Sequence, residues 1–477
     1  MRKLSLLLLV LMLALGAGSL LAQDATPEAT PSPEPTMTPT PLPPVAFTAP
    51  TLEFPGESDN FAGVDPTGQT VTYWHQYTSA TQLAIITGLV EAFNASNPYG
   101  ITINAIAKGS YNDIRTAMNN AIVSGDLPNL VGGYPNDSLS FGLDGVVVDL
   151  EPYFSDAQWG FSADQLADMN EVVLSSWQSE EAGRLGLPNQ LSGLIMFTNS
   201  AMMQELGYAA NSPVTVDEFA AAACAAAQSE LTGADGAEVQ GFPIVTDASQ
   251  YESLVAAFGG DIWADGQWDF TAEPAIQALQ LYKDLYDQGC AYIPAERFGN
   301  TADWARGLNP FAFSSSAGIG PTLKTVSDAG NVVADWKVVG LPGGADGKPV
   351  LQLFAPGLIS LSGTPEQQLA TWIFMRYFAT PEIQAQWSQQ LSLFPLSKAA
   401  AGMLDASKMV PQFVEMVNQF ANDEVQVYLS TQNLSYSAVR DIIATGLADV
   451  TANGMDVAEV AQRMTDEAAV VVEDSQG

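Results

Sequence analysis

Histidine and cysteine are nearly missing from this chain. It has one histidine, His75, and two cysteines, Cys224 and Cys290, in 477 residues. Ser-His-Asp chemistry would have to run through His75, and no G-x-S-x-G elbow supplies a nucleophile. Two cysteines and one histidine cannot build a four-ligand zinc site without carboxylates. HExxH and Walker A patterns are also absent, and the glycine-rich Gly340–Gly347 stretch lacks the lysine of a phosphate loop. Cationic side chains are scarce as well: 16 Lys+Arg stand against 53 Asp+Glu, a formal net charge of -37. That balance argues against nucleic acid and anionic lipid as partners, since both are gripped by clustered Lys and Arg. It is also the charge of a soluble, self-repelling surface.

Long apolar runs are confined to the start. Arg2 and Lys3 precede an unbroken apolar stretch, Leu4 to Ala22, that ends in small residues. Residues 1–22 therefore read as an export signal; an uncleaved membrane anchor is the other reading of the same run. No cysteine follows it, so lipid attachment is not expected. An exported chain meets an oxidising compartment, which favours a Cys224–Cys290 disulfide over two free thiols. From Gln23 the sequence turns to Thr, Pro, Ser and Glu, and a disordered stalk is expected over 23–69.

What remains is rich in apolar residues, and its length suits two or three lobes, because single cores stop growing near about 250–300 residues. Val71–Trp74 reads as a strand and Gln82–Asn94 as a helix. ITINAIAK reads as a strand, Tyr111–Ser124 as a helix and Leu127–Gly133 as a buried strand. This is the unit of a parallel sheet with helices on its faces. The alternation continues through Leu194–Thr198, a helix capped by Thr215, a helix capped by Thr271, the strand VLQLFAPGLISLS and a helical C-terminus, so the fold class is α/β.

In such sheets ligands bind beyond the carboxyl ends of the strands. His75, Gln76 and Tyr77 sit there, with Gly109-Ser110-Tyr111 and Tyr134-Pro135-Asn136-Asp137. Tyr73, Trp74, Trp263, Trp268 and Tyr436 also fall near element ends. Flat rings stack on the CH faces of sugars, while amides and carboxylates bond the hydroxyls. A glycosidase needs only two carboxylates, and with 53 acids the sequence singles out no pair.

Several segments in order resemble one family: VTYWH, LVEAFNASNP, KGSYNDIRTAMNNAIVSGDLPNLVGGY, LGLPNQLSGLIMFTNSAMMQELGY, VTVDEFAAAA, FGGDIW, ALQLYKDLYDQGCA and TPEIQAQWSQQLSLFPLSKAA. Together they resemble the extracellular solute-binding proteins of bacterial ABC importers, the carbohydrate type that includes maltose and glycerol-3-phosphate binders. The resemblance implies a two-lobed fold with hinge strands and a ligand cleft between the lobes. One lobe would be 70–188 plus 318–378 and the other 199–313 plus 380–474. It implies a binding component rather than an enzyme, working as a monomer. No cofactor is expected, a carbohydrate is the ligand and permease subunits are the partners. Cys224 and Cys290 would share a lobe.

Carried over residue by residue, Tyr111 is similar to the family's ligand-contacting tyrosine. Ser192 is similar to a serine of the crossing segment and Ser316 (or Ser315) to one of a later turn; Asn189 stands in the same crossing segment. Tyr436 matches a stacking aromatic of maltose binders. Three positions depart from the glycerol-3-phosphate pattern: Pro135 stands where a ligand-binding Glu is expected, Leu393 where a Tyr is, and Gln432 where the phosphate-gripping Arg is. A neutral sugar is therefore expected over a polyol phosphate. The expected ligand set is His75, Gln76, Tyr111, Tyr134, Asn136, Asp137, Asn189, Ser192, Trp263, Ser316 and Tyr436, with His75 at the lip of the cleft.

Overall fold

The computed structural model describes residues 42–179, 182–210, 213–296 and 299–476. Residues 1–22, expected to be an export signal, and most of the Thr/Pro-rich run lie outside the described residues. Strand β1 (Thr70–His75) pairs in parallel with β2 (Thr102–Ala107) and with β3 (Leu130–Gly133). Helices α1 (Ala80–Ser96) and α2 (Tyr111–Ser124) connect them. Ser79 and Ser110 close capping boxes with Gln82 and Asp113, which satisfies the first free amides of both helices. A short helix, α3 (Pro135–Gly142), follows β3 directly.

The chain then leaves the first sheet through β4 (Leu187–Pro188) and enters the second through β5 (Ser192–Asn199), whose eight residues are all buried. Helices α4 (Val216–Ala227), α5 (Ala248–Ala257) and α6 (Glu273–Asp287) pack beside it. Next come β6 (Phe311–Ser315), α7 (Ile319–Asp328), β7 (Trp336–Val339) and β8 (Val350–Phe354). Strand β9 (Gly357–Ser360) returns to the first sheet, followed by α8 (Pro365–Phe378) and α9 (Pro381–Leu391). The chain ends with α10 (Pro411–Ala421), β10 (Gln426–Leu429), α11 (Tyr436–Val450) and α12 (Val457–Gln476).

The first sheet runs β2-β1-β3-β9-β4 and the second β6-β5-β8-β10, with β7 also paired to β5. Both sheets are covered on two faces. Val71, Tyr73, Phe93, Trp372 and Phe374 fill one side of the first and Ile114, Met118, Val131 and Trp177 the other. Phe219, Tyr251, Tyr282 and Val439 fill one side of the second and Ile195, Phe197, Trp304 and Trp336 the other. Cys224 of α4 is bonded to Cys290, just past α6.

Four expectations are corrected. The stretch 318–378 does not belong whole to the first lobe: α7, β7 and β8 join the second, where Ile319 and Val326 pack with Ile195 and Phe197. The cause is Pro356. VLQLFAPGLISLS reads as one strand, but proline has no N–H to continue a ladder, so β8 stays in the second sheet and β9 starts in the first. Conversely, α9 stays with the first lobe, its Ile383 and Trp387 packed in that core, so the second lobe resumes near Phe394 rather than at 380.

The stalk is also shorter than 23–69. From Val45 to Val64, apolar side chains including Phe47, Leu52, Phe54 and Phe61 lie on the first lobe. Val45 donates its N–H to the Ala84 carbonyl, Thr48 exchanges two bonds with Gln386, and Asp156 accepts from Ser58 and Asn60. A Cβ on Gly88 would sit 1.7 Å from the Val45 carbonyl oxygen, so α1 needs glycine where this strap crosses. Proline-rich composition hid the four aromatic and aliphatic anchors. Finally, Thr271 does not cap α6; its hydroxyl bonds Asp269 and Ala272 takes the cap position.

Candidate functional site

Two lobes face each other where the carboxyl end of the first sheet meets the amino end of α11. On the first lobe, Tyr111 opens α2 and its ring meets the edge of Tyr134 at 5.0 Å between centroids. Tyr134 caps α3, donating its N–H to the Asp137 carboxylate. Asp137 also pairs with Arg115 of α2, so it is spent on holding the two tyrosines in register. The Tyr77 hydroxyl donates to Gln190 Oε1 at 2.9 Å, tying β1 to the crossing segment. Burial raises Tyr111 well above the ordinary phenol range and pushes Tyr134 up to about 12, so both remain neutral donors at neutral pH.

On the second lobe, Arg440 of α11 donates to Asp247 at 2.9 Å, to Ser249 at 3.0 Å and to the Tyr436 hydroxyl at 3.1 Å. Tyr436 in turn donates to Glu252 of α5 at 3.1 Å. Glu252, 1% exposed, also accepts from Gln352 Nε2 at 2.9 Å and from the Ser430 hydroxyl. Burial pushes its carboxyl up to about 7, against the pull of Arg440. An aromatic ladder leads outward: Tyr436 stacks on Trp268 at 5.9 Å, and Trp268 meets Trp263 at 4.7 Å.

The lobes touch. Asn136 Nδ2 donates to Ser437 Oγ at 2.8 Å, and the Tyr134 phenol lies within electrostatic reach of Arg440 and Asp247. Thus Asn136, which follows the Tyr111–Tyr134 pair on the first lobe, meets Ser437, the neighbour of Tyr436 on the second, with Trp263 at the outer end of the Tyr436 ladder.

Other expected residues fall elsewhere. His75 is not at the lip. Strand alternation puts it with Val71 and Tyr73 on the core face, 2% exposed, its ring 5.5 Å from both Tyr73 and Tyr77. Its Nδ1 accepts the Tyr77 N–H at 3.3 Å, and burial pushes it down to about 4, so it is a neutral core group. Ser316 is fully buried and accepts the Gly193 N–H, a tie within the second lobe. Ser192 starts β5 in the ladder with Phe354. The Asn189 N–H bonds the Pro356 carbonyl, and its carbonyl accepts from Gln384 at 3.0 Å, so it braces the crossing. Gln76 faces the opposite side from His75, and its buried Oε1 has no partner among the described residues.

Glu252, Arg440, Asp247 and Gln352 were missed. One signal was available: Glu252 is the sole acid in the otherwise uncharged run ASQYESLVAA, and a buried acid demands partners. Gln432 remains a departure from the polyol-phosphate pattern; its amide donates to the Ser430 carbonyl at 3.3 Å. A separate cavity of about 380 Å³, lined by Glu238, Gln240 and Tyr292, shares no residue with this cluster.

Two α/β lobes joined by three crossing segments, with rings and amides opposed between them, define a two-lobed ligand-binding protein. The chain belongs to the family of bacterial extracellular solute-binding proteins, which matches residues 88–434. Its fold is similar to that of the cyclic alpha-maltosyl-1,6-maltose binding protein of Arthrobacter globiformis, with TM-score 0.68, 19% identity, and coverage of 85% of this chain and 99% of that one. It is equally similar to UgpB of Mycobacterium tuberculosis in complex with glycerophosphocholine (TM-score 0.68, 18% identity, 86% and 99% covered). The sugar-binding protein MalE of Xanthomonas citri gives TM-score 0.68 at 15% identity, with 86% and 98% covered. No curated protein matches the sequence. Among the described residues no helix is long and apolar enough to cross a membrane.

Proposed function

We propose that the chain captures a neutral sugar or oligosaccharide between its lobes and delivers it to the permease of an ABC importer. The observation that carries this is the charge balance of the cleft. Both arginines there already hold a carboxylate, Arg115 with Asp137 and Arg440 with Asp247. A phosphate needs a free, charge-assisted donor; a sugar needs rings and neutral hydrogen-bonding groups, which Tyr111, Tyr134, Asn136 and the Tyr436–Trp268–Trp263 ladder offer. The structural neighbours that bind maltose-type sugars support the class.

A second reading, a polyol phosphate or phosphodiester, is favoured by the glycerophosphocholine-bound neighbour and by the position of Arg440. Titration calorimetry against maltose, mannotriose and glycerophosphocholine separates the two. Heat from a saccharide alone is expected; heat from glycerophosphocholine alone contradicts the sugar reading. Turnover of chromogenic glycosides would replace binding by hydrolysis. The export segment and the Thr/Pro-rich residues before Leu42 fit a protein held outside the cell, the latter as a spacer from the envelope.

A further inference from the structure

Among the described residues, Glu252 is the only fully buried acid of the second lobe, and all its bonds are made inside the protein. Its surroundings are fixed on every side. From α11 come Tyr436 and Arg440, the latter also holding Asp247 at the start of Glu252's own helix. From β10 comes Tyr428, and just beyond it Ser430. From β8 comes the uncharged Gln352. From its own helix comes Tyr251, whose neighbour on α6 is Tyr282.

The hydrogen-bond directions follow from the donors. Gln352 Oε1 accepts from Ser253 at 2.9 Å, which fixes its amide so that Nε2 faces Glu252 and Ser430. Ser430 accepts from Gln352 and gives its own hydrogen to Glu252. Tyr436 accepts from Arg440 and gives its hydrogen to Glu252. Every donor converges on a carboxylate that only accepts. A proton added to Glu252 has two acceptors within reach, Ser430 and Tyr436, because the Gln352 amide nitrogen cannot accept. Donation to Tyr436 turns its hydroxyl hydrogen away and breaks the relay that runs from Arg440; donation to Ser430 turns that hydroxyl instead, and either choice removes the negative charge that the Tyr436 hydroxyl and Arg440 face.

We propose that Glu252 is the positioning residue of the cleft floor: its carboxylate fixes the Tyr436 ring and the Arg440 fork, and loss of its charge weakens saccharide binding. This rests on the saccharide reading for its ligand, though not for the relay itself. Burial places the carboxyl near neutrality, and the chain's one histidine, His75, is pushed down to about 4, out of the same window.

The test is titration calorimetry of the full chain with maltose and mannotriose at pH 5.5 and 8. Wild-type protein is expected to bind about three- to tenfold more tightly at pH 8, the effect of one hydrogen bond. E252Q is expected to be flat in pH, at the wild-type level of pH 5.5. Y436F, which keeps the acid but cuts the relay, is also expected to be weak and flat, and serves if E252Q does not fold. A flat wild type, or E252Q with the wild-type slope, overturns the proposal. Should neither sugar bind at any pH, the tryptophan fluorescence of the unliganded protein decides. A transition near neutrality that E252Q abolishes keeps the relay and removes the saccharide reading. No such transition removes the relay.

Discussion

Asn136 and Ser437 lie 301 positions apart and share a hydrogen bond of 2.8 Å across the cleft. Each is the second residue of its helix, so the bond joins the amino end of α3 on one lobe to that of α11 on the other. It is the direct polar latch between the tyrosine pair and the Tyr436 floor. Replacing Asn136 with Ala should open the unliganded protein, seen as a larger radius of gyration by small-angle scattering. Saccharide affinity should fall by about 0.5–1.5 kcal/mol, the contribution of one neutral hydrogen bond. An unchanged radius together with unchanged affinity would show that the contact carries no closure energy.

Stability should respond to pH through two buried groups of opposite sign. Glu252 is raised from 4.5 to about 7, so its contribution is present below 4.5 and is lost as pH rises through 7. His75 is lowered from 6.5 to about 4, so its contribution is present above 6.5 and is lost as pH falls through 4. Denaturant unfolding at pH 5 and 8 isolates the first. E252Q should gain on wild type between the two, by on the order of 3 kcal/mol. His75→Asn, which keeps an acceptor for the Tyr77 N–H, should gain on wild type between pH 7 and pH 4. A pH-independent difference in either series would mean the group is not buried as described.

Reduction of the Cys224–Cys290 bond should cost stability without touching the ligand. The bond closes a loop across a sequence separation of 66, and a loop of that size predicts a loss of about 4 kcal/mol in C224S/C290S. Guanidinium unfolding measures it; the saccharide Kd of the folded variant should be unchanged. A changed Kd would place the disulfide in the binding account.

The strap over 42–69 should act as part of the first lobe. Phe54 packs on Trp159 and Tyr99, with centroids at 5.0 and 6.4 Å, and Phe61 stacks on Tyr153 at 4.2 Å. A chain beginning at Thr70 should melt lower than one beginning at Leu42. F54A alone should lose on the order of 2 kcal/mol, below a full core truncation because Phe54 is half-buried. Equal melting temperatures would return these residues to the stalk.

Local patterns were legible in the sequence and long-range ones were not. The β1-α1-β2-α2-β3 order, the Thr215 cap and the gathering of Tyr111 and Tyr134 at the strand ends follow from local sequence pattern and from the strand-end rule. His75 could have been placed as well: it is two residues from Tyr73 and four from Val71, both apolar, and so shares their face. The sheet exchange at Pro356 was hidden because both flanking strands are apolar and read as one. The Glu252 cluster was hidden because its partners are 78 to 193 positions apart along the chain, and no local spacing brings Gln352, Ser430 and Arg440 together.

In the proposed binding mode a saccharide is held between Tyr111 and Tyr134 on one lobe and Tyr436 on the other. Calorimetry of the full chain with maltose and mannotriose, repeated on Y111A and Y436A, tests it most directly. Saturable binding by wild type, weakened in both variants while each still unfolds cooperatively, is the predicted result. Undiminished binding in both variants, or heat only from glycerophosphocholine, would contradict it.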